Sequence, residues 1–136
     1  MAQPLITVVD DDPDVRDALL MILKKADYRV NLCATGPQAV ESIHREKPDV
    51  ILLDVMLASP SEGFHLAYEF RGDESVRDVP IIMISAIGKK MGMDYARELG
   101  SDYLPVERFL DKPLEAVTVL AAVSEVLAHR RQHVES

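Results

Sequence analysis

Long apolar runs are missing from this chain. No stretch approaches the roughly 20 residues that span a bilayer, and the opening Met-Ala-Gln-Pro carries no basic segment ahead of an apolar one. Neither a membrane span nor a signal peptide is expected, and the sequence reads as cytoplasmic. Cysteine is almost absent. Cys33 stands alone, which excludes an internal disulfide and leaves no CxxC or Cys/His set for zinc. Positive charge is in deficit: 15 Lys and Arg face 23 Asp and Glu, a formal net charge of -8. Such a chain does not bind nucleic acid or anionic membrane indiscriminately, so no direct contact with either is expected. Nor does a glycine-rich loop follow the first apolar run, which sets aside a phosphate-cradling nucleotide site.

What remains is an ordinary globular balance, 48% hydrophobic and 28% charged residues in a chain of 136. That length fits one domain with a sizeable core. "LITVVD" (5–10) reads as a strand. "PDVRDALLMILKKAD" (13–27) reads as a helix, since Val15, Ala18, Leu19, Ile22 and Leu23 recur at helical spacing. Asp12 suits its N-cap and Pro13 its first turn. "YRVNLCA" (28–34) is a weaker strand, and Thr35 opens the helix "GPQAVESIHREK". "PDVILLDVM" (48–56) is the clearest buried strand, "SPSEG" (59–63) a loop, and "FHLAYEFRGD" (64–73) the start of a third helix. A strand in "VPIIMISA" (79–86), a helix "KKMGMDYAREL" (89–99), a short strand in "RFLDKP" (108–113) and a helix "LEAVTVLAAVSEVLAHRR" (114–131) complete the pattern. The domain is expected over 4–130, with 131–136 as a tail. Strand then helix, five times over, predicts an α/β fold: a five-stranded parallel sheet doubly wound with five helices.

In such sheets ligands bind beyond the carboxyl ends of the strands. Strand one ends in Asp10 and Asp11, strand three in Asp54, strand four in Ser85 and Ala86, and strand five in Lys112 before Pro113. Three carboxylates, a hydroxyl and an ammonium should therefore meet at one edge. Carboxylates as crowded as those of "VVDDDPDV" (8–15) repel one another unless water or a cation screens them. An oxygen-only acidic site suits a hard cation such as Mg²⁺. Lysine and hydroxyl are natural partners for phosphoryl oxygens. A calcium loop starting at Asp10 fails, because its sixth position is Val15 and its twelfth Met21. Asp12 and Asp14 read as a helix cap and a first-turn acid. His44, His65, His129 and His133 are scattered and read as surface residues, and Met83, Met91 and Met93 as packing residues.

The segments "VVDDD", "VILLDVM", "IIMISA" and "FLDKP", in that order and each at a strand end, resemble the four signature segments of response-regulator receiver domains of two-component signalling, of the stand-alone chemotaxis-regulator kind. The resemblance covers roughly residues 4–130. It implies a flavodoxin-like sheet of order 2-1-3-4-5. It implies that Asp54 accepts a phosphoryl group from a phosphohistidine of a sensor histidine kinase or phosphotransfer protein. Asp11 would be a direct Mg²⁺ ligand together with Asp54, with Asp10 helping to hold the ion and Met56 giving its backbone carbonyl. Ser85 would hydrogen-bond the phosphoryl group and Lys112 would pair with another of its oxygens. Phe109 matches the aromatic switch position, with Tyr103 as the alternative, and the Lys112–Pro113 bond would be cis. Phosphorylation would draw Ser85 in, move Phe109 inward and change partner affinity on the face of the fourth helix, fifth strand and fifth helix. Such a domain is a phospho-acceptor rather than an enzyme in the usual sense, with weak self-phosphorylation and self-dephosphorylation. It would be a monomer, or a dimer formed on phosphorylation.

The chain departs from the family pattern at two places. The loop "VMLASPSE" is longer than usual and lacks a proline after Leu57, and extra residues in "DYLPVERF" precede Lys112, beside the expected signalling face. Apolar Met56 and Ile87 flank the acceptor where polar residues can orient water, so slow self-dephosphorylation is expected. Alternative readings are a pseudo-receiver docking scaffold and a phosphorelay intermediate that passes its phosphoryl group to a phosphotransfer protein. A Mg²⁺-dependent phosphohydrolase is disfavoured, because Asp10-x-Asp12 is followed two residues later by Asp14. No DNA-binding or enzymatic segment follows within these residues, so output is expected through a protein partner.

Overall fold

Three apolar runs become strands that are buried at every position: Leu5–Val9 (β1), Val50–Asp54 (β3) and Ile81–Ser85 (β4). Continuous burial is what a parallel sheet covered on both faces demands. The flanking strands, Arg29–Cys33 (β2) and Arg108–Asp111 (β5), are partly exposed. Their edge positions explain the weaker pattern of "YRVNLCA". All pairings are parallel and the order is β2-β1-β3-β4-β5. The computed structural model describes residues 3–55, 57, 62–85 and 106–135, with side chains described as far as residue 129.

Side chains alternate between the two faces of the sheet, as the pleat requires. Ile51, Leu53, Ile81 and Met83 join Ala39, Ile43, Phe64 and Phe70 on one side. Ile6, Val8, Leu52, Ile82 and Ile84 join Leu19, Leu23, Val119 and Val123 on the other. The first layer is covered by helices Gly36–Arg45 (α2) and Glu62–Gly72 (α3). The second is covered by Pro13–Lys25 (α1) and the C-terminal helix Ala116–Glu135. Cys33 is buried in the first layer, and that burial pushes its thiol pKa up, away from reactivity.

Local signals set the helix starts. Asp12 caps α1 by accepting from the Asp14 N–H at 2.9 Å, with Pro13 in the first turn. Thr35 caps α2 by accepting from the Gln38 N–H at 3.2 Å, while Gln38 Oε1 accepts from the Ala34 N–H at 2.8 Å, a variant of the capping box. α1 ends where Asp27 takes a left-handed φ of 66°, a conformation that Asp tolerates better than most residues.

Four helices stand among the described residues against the five expected, because the helix expected over 89–99 lies outside them. α3 begins two residues before Phe64, at Glu62. The C-terminal helix begins at Ala116 and continues to Glu135, through residues expected as a tail.

Candidate functional site

The carboxyl edge of the sheet gathers the expected groups. Asp10 follows β1, and its N–H donates to the Cys33 carbonyl at 3.0 Å. Asp54 closes β3 in register with Ile84. Ser85 closes β4, and the Lys112 N–H, just beyond β5, donates to its carbonyl at 2.8 Å. Backbone pairing therefore brings these four residues to one edge of the sheet, with Ser85 one position beyond the row of Asp54 and Lys112 one beyond the row of Ser85.

Their environments differ. Asp10 and Ser85 are fully buried, Asp54 is 3% exposed, and Asp11 is exposed. One carboxylate oxygen from each of Asp10, Asp11 and Asp54 falls within 4.8 Å of the others. Lys112 Nζ lies 3.2 Å from Asp10 Oδ2 and 3.6 Å from Asp54 Oδ2. Burial alone would lower the Lys112 pKa, but the charges of Asp54 and then Asp10 outweigh it and hold the ammonium above the usual lysine value.

Asp10 is itself held in place. Its Oδ1 accepts from the Asp12 N–H at 2.9 Å, and its carbonyl accepts from Arg16 Nη1 at 2.8 Å. Its Oδ2 is buried and, although close to Lys112, receives no well-directed hydrogen bond. A buried carboxylate oxygen short of a donor, aimed among two more carboxylates, is a costly arrangement that a hard cation relieves. The all-oxygen donor set fits Mg²⁺ on that ground.

Phe109, half-buried in β5 opposite Met83, packs with Val106 against the layer under α2 and α3. The Lys112–Pro113 bond is cis. Met56, Ile87 and Tyr103 lie outside the described residues. Asp12 and Asp14 serve the helix start as expected, and His44, His65 and His129 are exposed.

Two supporting residues escaped the sequence reading. Gly63, in the first turn of α3, donates its N–H to the Val55 carbonyl at 2.9 Å. A Cβ there would meet the Asp54 carbonyl oxygen at 2.2 Å and Val55 Cα at 2.6 Å. Only glycine lets α3 press against the strand end that carries Asp54. The place of Gly63 at the end of a loop-like stretch, directly before an apolar helical pattern, was the available signal. Arg16, which fixes the Asp10 backbone, left none.

Residues 6–124 match the family of the response regulator receiver domain. The chain belongs to that family. It is a receiver domain of the two-component response-regulator type. It is 36% identical over 111 residues, 82% of its length, to a probable transcriptional regulator, ycf27, of Guillardia theta. Over 123 residues, 90% of its length, it is 36% identical to the phosphate regulon transcriptional regulatory protein PhoB of Pseudomonas aeruginosa. It covers 42% and 52% of those proteins, so the receiver domain spans about half the length of the curated relatives it matches. Among solved structures, a putative response regulator from Chloroflexus aurantiacus aligns with a TM-score of 0.80 at 28% identity, covering 93% of this chain and 98% of that one. A CheY-like receiver domain protein from Methanospirillum hungatei shares the fold, with a TM-score of 0.82 at 21% identity over 96% of this chain and 98% of that one. Among the described residues no helix is long and apolar enough to cross a membrane.

Proposed function

We propose that this receiver domain accepts a phosphoryl group on Asp54 from a phosphohistidine of a sensor kinase or phosphotransfer protein. The observation that carries the reading is the Lys112 ammonium set 3.6 Å from the Asp54 carboxylate and 3.2 Å from that of Asp10, beside the three-carboxylate cluster. In the proposed step an Asp54 carboxylate oxygen attacks phosphorus as the phosphorus–nitrogen bond of the donor breaks, and the imidazole leaves. Lys112 draws one phosphoryl oxygen and Ser85 donates a hydrogen bond to another. Asp10, Asp11 and Asp54 would hold Mg²⁺, which when bound offsets the repulsion between carboxylate and incoming phosphoryl oxygens. The protein supplies position and charge rather than a covalent relay. Water attack on phosphorus later breaks the bond to the Asp54 oxygen and returns the carboxylate and inorganic phosphate.

The phosphorylated state then favours a second arrangement in which Ser85 leans toward the phosphoryl group and Phe109, on the neighbouring strand opposite Met83, turns inward. Tyr103 is the alternative switch aromatic. Output passes to a protein partner through the face that includes β5 and the C-terminal helix. Intact mass after incubation with Mg²⁺ and acetyl phosphate tests the reading. A gain of one phosphoryl group in the wild type and none in Asp54→Ala is expected. No gain in either protein would favour a docking scaffold, and a gain in both would place the acceptor elsewhere.

A further inference from the structure

Arg71, half-buried at the end of α3, gathers several acceptors from separate parts of the chain. Its Nη1 donates to the carbonyls of Arg77 at 2.9 Å and Val79 at 2.7 Å, and its Nη2 donates to both carboxylate oxygens of Glu107. Glu107 sits immediately before β5. Its Oε2 also accepts from the backbone N–H of Ile81 at 3.0 Å, and its own N–H donates to the Ile81 carbonyl at 2.9 Å. One acidic side chain thus joins the end of α3, the first residue of β4 and the entry to β5.

β5 is the strand that most needs such a tie. It has four residues, stands at the sheet edge and pairs with β4 alone, from Ile82↔Arg108 to Ser85↔Asp111. A slip by two residues would keep every side chain on its own face, and only Phe109 and Leu110 are apolar anchors in β5 to oppose it. It would nevertheless carry Lys112 about 7 Å along the strand, away from Asp10 and Asp54. The Glu107 carboxylate meets both the Ile81 N–H and Arg71 in one register only.

We propose that the Arg71–Glu107 pair is a register pin for β5, and that both are positioning residues that act on phosphoryl transfer through Lys112. The inference rests on the function proposed above. A partly exposed ion pair adds little to global stability, so its loss should show in the placement of Lys112 more than in unfolding.

The test is a double-mutant cycle on the rate of phosphoryl uptake from acetyl phosphate with Mg²⁺, with thermal unfolding to verify that each protein is folded. Glu107→Ala is expected to slow uptake about tenfold or more, as misplacement of a charge partner does. In a Lys112→Ala background the same change should have little further effect. Glu107→Gln, which keeps an acceptor for the Ile81 N–H, should fall between. If Glu107→Ala does not fold, Arg71→Lys carries the same comparison. Equal rates for wild type and Glu107→Ala would overturn the proposal, as would the same slowing in both backgrounds, which marks a general loosening. Absence of uptake by the wild type would overturn the phospho-acceptor reading itself, and the pin with it.

Discussion

Lys112 Nζ lies 3.6 Å from Asp54 Oδ2, across the end of the strand that separates β5 from β3. The same ammonium lies 3.2 Å from Asp10 Oδ2, so it pairs with two of the three clustered acids at once.

Lys112→Met should slow phosphoryl uptake about 100-fold, the scale of losing one preorganised charge partner. It should also change behaviour in alkali. The folded pKa of Lys112 is raised by Asp54 and Asp10 despite burial. Its charge therefore adds stability that is fully present below the unfolded value of about 10.4 and is lost as pH rises through the folded value above it. Urea midpoints followed from about pH 8 to about pH 12 should show an added fall above about pH 10 in wild type only. Parallel curves for the two proteins would deny the coupling.

Mg²⁺ should raise the melting temperature of the wild type, because the acids would be clustered to hold the ion only in the folded chain. At ten times its dissociation constant the ion adds about 1.4 kcal/mol. Asp11→Asn should lose most of that shift. Without the ion the variant should be at least as stable as wild type, since one of three like charges within 4.8 Å is gone. Thermal unfolding with and without MgCl₂ decides the matter, and an unchanged shift in Asp11→Asn would place the ion elsewhere.

The three central strands were legible because β1, β3 and β4 are apolar at nearly every position, as a parallel sheet covered on both faces requires, whereas the strand order came only with the family resemblance. Asp10, Asp54, Ser85 and Lys112 were legible because each stands where a readable strand stops. Helix boundaries were less so. Glu62 and Gly63 look like loop residues in "SPSEG", yet they begin α3 because Gly63 can reach the Val55 carbonyl. Long-range ties stayed hidden: nothing in the order of residues announces that Arg71 meets Glu107 or that Arg16 holds the Asp10 carbonyl.

Gly63→Ala should cost about 1–3 kcal/mol, the range for forcing atoms into a full space. The atoms a new Cβ would meet, the Asp54 carbonyl oxygen and Val55 Cα, are backbone and cannot swing aside. α3 must then withdraw from the end of β3, so phosphoryl uptake should slow as well. Gly72→Ala is the control, since a Cβ there meets nothing within 4 Å. It should be neutral or stabilising by up to about 1 kcal/mol through helix propensity. Chemical denaturation of both variants makes the comparison, and equal stabilities would remove the special role of Gly63.

Asp73, just past α3, should contribute to stability only above the strongly acid range. Ser75 donates to its Oδ1 from the hydroxyl at 2.7 Å and from the backbone N–H at 3.0 Å, and His44 Nε2 lies 2.6 Å from its Oδ2. The Ser75 hydroxyl bond first, then His44, brings the Asp73 pKa down to about 2. A depressed folded value means stability that is present above the unfolded value of about 3.9 and is lost as pH falls through the folded one. Asp73→Asn should thus lie below wild type in urea midpoint at about pH 6, and the gap should close between about pH 4 and about pH 2. A gap that persists unchanged at the acid end would show that Asp73 acts through the shape of its hydrogen bonds and not through its charge.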